Sequence, residues 1–111
     1  MPHSRAPLTI ASYNIHKARG LDRRVDLMRI AAVIEEIGAD LVGVQEIYAQ
    51  QAETLARRLA LSYRMGVTTE RAEGPYGNAV FTRFSIRGAH VFDLTRRRSE
   101  PRGGLRVDVS V

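Results

Sequence analysis

Two stretches decide how this chain is read: Leu8-Thr9-Ile10-Ala11-Ser12-Tyr13-Asn14-Ile15-His16, and Gly38-Ala39-Asp40-Leu41-Val42-Gly43-Val44-Gln45-Glu46. The first alternates apolar and small polar residues after Pro7, as a strand does. In the second, Leu41–Val44 is a short apolar run, as in a strand buried on both faces. Between them Leu27, Ile30, Ala31, Ile34 and Ile37 recur at helical spacing, with Arg29, Glu35 and Glu36 on the other face. Asp22 is placed to cap that helix and Gly38 to stop it. Strand, helix and strand in close succession make a βαβ unit, which predicts that the two strands are parallel.

Working outward, Asn14–Leu21 reads as a loop turned by Gly20. Ala52, Leu55, Ala56 and Leu59 mark a second helix, with Glu53, Arg57 and Arg58 outside. Tyr63–Val67 reads as a short strand, Thr68–Gly77 as a polar loop with a Gly74-Pro75 turn, and Asn78–Thr82 and His90–Leu94 as strands linked near Phe84–Gly88. Thr95–Gly104 reads as a basic loop carrying Arg96, Arg97 and Arg98. Leu105, Val107, Val109 and Val111 then alternate with Arg106, Asp108 and Ser110, the clearest strand pattern of all, with no turn after it. Residues 1–7 read as a disordered N-terminal tail and residues 8–111 as one domain, cut short at its C-terminal end.

The 111 residues suffice for one modest core, and 44% hydrophobic with 26% charged residues is ordinary for a folded domain. Seventeen Lys and Arg against twelve Asp and Glu leave +5, which suits an anionic partner without choosing one. The absence of cysteine excludes disulfides, zinc–thiolate sites and thiol nucleophiles. No signal-peptide core and no run long enough to cross a bilayer is present, so a cytoplasmic location is the expectation. Walker, dinucleotide-binding and serine-hydrolase motifs are absent.

Asn14 and Glu46 each sit where an apolar strand gives way to polar sequence, the place where α/β proteins put their chemistry. A Glu there is costly to bury alone and is paired, hydrated or bound to a cation. Asn14 is equally suited to an Asx turn. If the two converge, oxygen-only ligands favour magnesium, manganese or calcium over zinc. His16 is placed to touch a phosphate or assist proton transfer, and Lys17 and Arg19 add positive potential. In Tyr76-Gly77-Asn78, Gly77 is expected to let the backbone turn sharply and leave Asn78 to hydrogen-bond within a site. In Glu100-Pro101-Arg102-Gly103-Gly104, Arg102 is placed to reach a phosphate oxygen or pair with an acid.

Taken together, Ser12–His16, Gly38–Glu46, Tyr76–Phe84 and Glu100–Gly103 resemble blocks of the endonuclease/exonuclease/phosphatase family, the fold of deoxyribonuclease I, apurinic endonucleases, neutral sphingomyelinases and inositol-phosphate 5-phosphatases. The resemblance implies an α/β (α+β) fold: the N-terminal half of a four-layer α-β-β-α sandwich, deoxyribonuclease I-like, with a mixed sheet and helices on one face. It implies a hydrolase, a Mg2+-dependent (or Mn2+-dependent) phosphodiesterase, nuclease or phosphatase working by in-line water attack. Glu46 would bind the metal directly, Asn14 would lie beside it as ligand or orienter, and His16, Asn78 and Arg102 would bind substrate. The substrate would be a phosphoester: nucleic acid, phospholipid or soluble phosphate.

The family also uses a further histidine, an Asp-x-Asn pair and a terminal Asp-His pair. Here no Asp precedes a His, and none of Asp22, Asp26, Asp40, Asp93 or Asp108 is followed two residues later by Asn. The catalytic set is therefore expected to be incomplete, this segment inactive alone, and its exposed sheet face prone to self-association. The rival reading is a non-catalytic basic module that binds nucleic acid or anionic lipid.

Overall fold

The computed structural model describes residues 7–18, 26–97 and 100–111. Their order is β1 (Ile10–Asn14), α1 (Leu27–Ile37), β2 (Leu41–Tyr48), α2 (Ala49–Leu59), β3 (Ser62–Arg71), β4 (Gly74–Thr82), β5 (Ser85–Asp93) and β6 (Gly103–Ser110). The expected βαβ unit is there, with β1 and β2 parallel and Asn14 beside Gln45. β4 adds antiparallel to β2 and β3 to β4, giving a mixed four-stranded sheet in the order β1-β2-β4-β3. β5 and β6 form a separate antiparallel pair.

The helices take one face of the larger sheet because their apolar stripes need it. Ile30, Ala31 and Ile34 of α1 and Ala52, Leu55 and Ala56 of α2 join Val42, Val44, Ile47, Ala79 and Phe81 in one buried cluster. The α1 start lies later than Asp22: Asp26 is the N-cap, its Oδ1 accepting from the Arg29 N–H at 3.1 Å. Asp22, Gly20, Arg19, Arg98 and the 1–6 part of the expected tail lie outside the described residues. Gly38 ends α1 at φ +64, a left-handed conformation that glycine adopts without strain.

The second sheet lies on the opposite face. Met65 packs toward the helices, so its neighbour Gly66 faces away. A Cβ on Gly66 would meet Leu105 at 3.3 Å and Val91 at 3.5 Å, so the missing side chain admits the β5–β6 pair. Helices, four-stranded sheet and β5–β6 pair are three successive layers, consistent with the partial sandwich expected.

Several boundaries differ from the sequence reading. The residues expected as a polar loop, Thr68–Gly77, are mostly strand: β3 runs to Arg71 and β4 begins at Gly74. β3 is an edge strand, where polar residues meet water without penalty. The link expected near Phe84–Gly88 shrinks to Arg83-Phe84, and β5 begins at Ser85. In β1 it is Ala11 and Tyr13 that pack on the core, while Ile10 is 72% exposed. Ile10, Val91, Phe92, Leu94 and Val111 are among the exposed apolar side chains on which the expected self-association would draw.

Asp40 ties the entry ends of β1 and β2 to the exit end of β4. Its Oδ2 accepts from the Thr9 N–H at 2.8 Å and its Oδ1 from Arg83 Nε at 2.7 Å, while its backbone carbonyl accepts from the buried Thr82 hydroxyl at 2.9 Å. The Thr9 amide first, and the Arg83 guanidinium next, hold its carboxyl below the usual 3.8. The charged form is thus favoured in the folded state, and its contribution is present above that value and lost as pH falls from about 4 downward. Asp93, held low by Thr95, acts in the same direction. Asp40→Asn is expected to lower the melting temperature at pH 7 by several degrees and to flatten its fall between pH 5 and 3, read by circular dichroism.

Candidate active site

A cleft of about 730 Å3 opens where the end of β1, the distal half of β2, the start of β4 and the segment entering β6 converge. Asn14, Glu46, Asn78 and Arg102, singled out in separate parts of the sequence, all line it. His16 does not line it but comes close, with Nδ1 at 3.8 Å from Glu46 Oε1.

Glu46 reaches the cleft through a fault in its strand. β2 does not end before Gln45-Glu46, as the sequence reading had it, but continues to Tyr48. Its register with β4 slips between Val44 and Ile47. Glu46 has φ +57, a left-handed value that is costly for a side chain with a Cβ. In a regular strand Glu46 would share the face of Val42 and Val44 and point among the helices. The bulge turns it outward and returns Ile47, fully buried, to the core.

Asn14 makes the Asx turn that its position allowed: Oδ1 accepts from the His16 N–H at 3.0 Å. A second lone pair on that oxygen is left for another partner. The turn leads into His16, Lys17 and Ala18, all with φ between 49 and 63. Three left-handed residues without glycine are strained, and such strain persists where surroundings over-determine it. Ala18 is buried and its N–H donates to the Ile15 carbonyl at 2.8 Å. Gln51 supplies the other restraint: Nε2 donates to the Lys17 carbonyl at 2.8 Å, and Oε1 accepts from the Tyr48 N–H at 3.0 Å. One buried amide thus joins the Asn14 loop to the strand that carries Glu46.

Tyr76 stands beside Glu46, its hydroxyl donating to Oε1 at 3.3 Å. Burial first, and the Glu46 charge next, push the phenol up to about 12, so it is a neutral donor at any ordinary pH. Its ring lies 5.0 Å from that of Tyr48. The Arg71 guanidinium sits 4.1 Å from the ring centroid and the Lys17 ammonium 5.6 Å.

Gly77 does not turn the chain sharply. It lies within β4, where a Cβ would collide with the Gly66 carbonyl and crowd the Thr68 nitrogen at 2.9 Å, so glycine is needed for close approach of β3. Nor does Asn78 swing free: Nδ2 donates to the Gly103 carbonyl at 3.1 Å and pins β6 to β4 across the cleft. Tyr76 and Gln51 were not singled out as site residues. Gln51 left a trace, being polar on the face that Leu55 marks as apolar; Tyr76 left only its place beside Gly77-Asn78.

Among the described residues no group of three His, Cys, Asp or Glu could enclose a metal. The donors present are a carboxylate and an amide oxygen on one open cleft. They fit a cation such as Mg2+, which keeps several waters and is held by one or two carboxylates together with substrate phosphates.

The profile of the Endonuclease/Exonuclease/phosphatase family matches residues 11–109. This chain belongs to that family. Among solved structures it is 27% identical to an endonuclease/exonuclease/phosphatase from Beutenbergia cavernae DSM 12333, with TM-score 0.75, covering 94% of this chain and 34% of that one. It is 25% identical to a mannosyl-6-phosphatase of Bacteroides thetaiotaomicron VPI-5482, with TM-score 0.62 over 80% of this chain and 37% of that one. A D. rerio TDP2 structure, complexed with single-strand DNA product, is 16% identical with TM-score 0.72 over 93% of this chain and 40% of that one, a likeness of fold alone. The chain thus spans between a third and two fifths of the length of these proteins. Among curated proteins none matches it.

Two substitutions test this account. Gly77→Ala should cost about 3 kcal/mol, because the intruding Cβ meets backbone rather than a side chain that can move; urea denaturation measures it. Gln51→Leu keeps the volume but strands two buried backbone groups, and should cost about 1–3 kcal/mol. In its amide correlation spectrum the largest shifts should fall on Asn14–Ala18 and Tyr48.

Proposed function

We propose that this cleft is part of the active site of a metal-dependent phosphoester hydrolase. The observation that carries the reading is the convergence of the Glu46 carboxylate and the Asn14 amide on one cleft with the neutral Tyr76 phenol bonded to that carboxylate. Family membership supports a phosphoester as substrate, and the likeness to a mannosyl-6-phosphatase supports a phosphate ester in particular.

In this reading Glu46 and Asn14 would hold Mg2+ or Mn2+, which when bound supplies Lewis-acid polarisation of a phosphoryl oxygen. Tyr76 fixes the carboxylate by donating to Oε1 and leaves Oε2 for the cation. Arg102, which also lines the cleft, would take a phosphoryl oxygen with its planar fork of guanidinium donors. Asn78 acts by position, its side chain holding the Gly103 backbone next to Arg102. His16, whose side chain is 75% exposed, can reach an oxygen on the solvent side of Glu46. Hydrolysis also needs a group to activate water. Among the described residues the acids at the cleft are Glu46, committed to the cation in this reading, and the exposed Glu100. We therefore expect this 111-residue chain to bind phosphoesters better than it turns them over.

Titration calorimetry of bis(p-nitrophenyl) phosphate with and without Mg2+ tests the proposal. Mg2+ should strengthen binding, and Glu46→Gln should remove that gain, lowering affinity by about tenfold or more. Salt-dependent binding that survives both Glu46→Gln and chelation would instead favour a basic binding module.

A further inference from the structure

Arg71 is the last residue of β3, beside the two-residue turn into β4, and it lines the same cleft as Glu46. Both meet Tyr76, Arg71 over the face of the ring and Glu46 at its hydroxyl. The guanidinium lies 4.1 Å from the ring centroid, while the hydroxyl on the ring's edge is 3.3 Å from Glu46 Oε1. Among the described residues Arg71 makes no ion pair and donates no hydrogen bond. Stacking engages only the flat face of a guanidinium and leaves its five N–H donors, which lie in the plane, available for a planar or tetrahedral anion. The ring therefore fixes the position of the cation without consuming its binding capacity.

The charge around the cleft points the same way. Among the described residues Lys17, Arg71 and Arg102 line it against Glu46 and Glu100, so cations outnumber acids there. A divalent ion at Glu46 would widen the excess. Arg71 lies over the face of the Tyr76 ring and Glu46 beyond its hydroxyl edge, so the two offer a substrate separate points of attachment, one for a phosphoryl group at Glu46 and one for an anion further along the same molecule.

Resting on the phosphoesterase reading, we propose that Arg71 is a specificity-determining residue that takes a second phosphate of the substrate, and that the site selects phosphoesters carrying two phosphates over those carrying one. A guanidinium suits a phosphate because two parallel N–H groups match two oxygens.

The test is calorimetric, with Mg2+ present and ionic strength fixed, on two matched pairs of probes. One pair is the thymidine dinucleotide TpT with and without a 5′-phosphate; the other is fructose 6-phosphate against fructose 1,6-bisphosphate. The doubly phosphorylated member of at least one pair should bind roughly tenfold more tightly, the worth of one charge-assisted contact. Which pair shows it tells a nucleotide chain from a small bisphosphate. Arg71→Ala should erase the preference, weakening the doubly phosphorylated member far more than the singly phosphorylated one, and Arg71→Lys should restore part of it. No preference in either pair, or a preference that survives Arg71→Ala in a variant with unaltered circular dichroism, overturns the proposal. Glu46→Gln separates the two readings. If it leaves the Mg2+ dependence intact while Arg71→Ala still erases the preference, the phosphoesterase reading fails and the anion site at Arg71 stands.

Discussion

The bulge in β2 is the constraint on which the rest of the structure depends. β2 is bonded on both sides, parallel to β1 and antiparallel to β4, so its register is fixed by neighbours rather than by its own preference. Val42 and Val44 must face the helices, and Ile47 must follow them into the core. Strict alternation cannot place residues 42, 44 and 47 on one face, because a period of two puts an odd and an even position on opposite sides. One left-handed residue resolves the conflict, and that residue is Glu46. The same slip that saves the core expels the carboxylate into the cleft. Packing and chemistry are settled here by one backbone distortion.

The sheet is anchored differently at its two ends. At the entry to β1 and β2, Asp40 gathers Thr9 and Arg83 with short bonds to its carboxylate and Thr82 with a bond to its backbone carbonyl. At the exit, the restraints are a buried amide from α2, a phenol from β4 and an asparagine from the same strand. The first set stiffens the strands. The second aims them, because each bond reaches a site-bearing segment from a neighbouring element. Gln51 acts on the Asn14 loop and on Tyr48, Tyr76 on Glu46, and Asn78 on the segment containing Arg102. The cleft is open and polar, but few of its walls are free to move.

Much of this arrangement was legible in the chain. The helical spacing of Leu27–Ile37 and the apolar run Leu41–Val44 sufficed for a parallel βαβ unit, since a strand, a packed helix and a second strand have few other solutions. Asn14 and Glu46 stood out because polar residues interrupt apolar strands there. Polar stretches misled where an edge strand had no need of apolar residues, as at Thr68–Arg71. Gly77 was found at the right place for the wrong reason, since it lets two strands approach rather than turning the chain; Asn78 lines the cleft as read from the sequence, and its bond there spans two sheets. Neither role leaves a local mark, because the partner of each lies elsewhere in the chain.

By itself, then, the sequence determined which segments are helix and strand, which faces are apolar, and that a carboxylate and an amide end up near strand termini; these follow from periodicity and from the cost of burying polar groups. Only the tertiary structure decided that Glu46 points out of the core rather than into it, that Tyr76 and Gln51 hold the site, and that Arg71 lies over the face of the ring whose hydroxyl meets the carboxylate. Those outcomes depend on register between strands and on contacts between residues distant in the chain, and a periodic pattern carries no information about which partner will fill the space opposite.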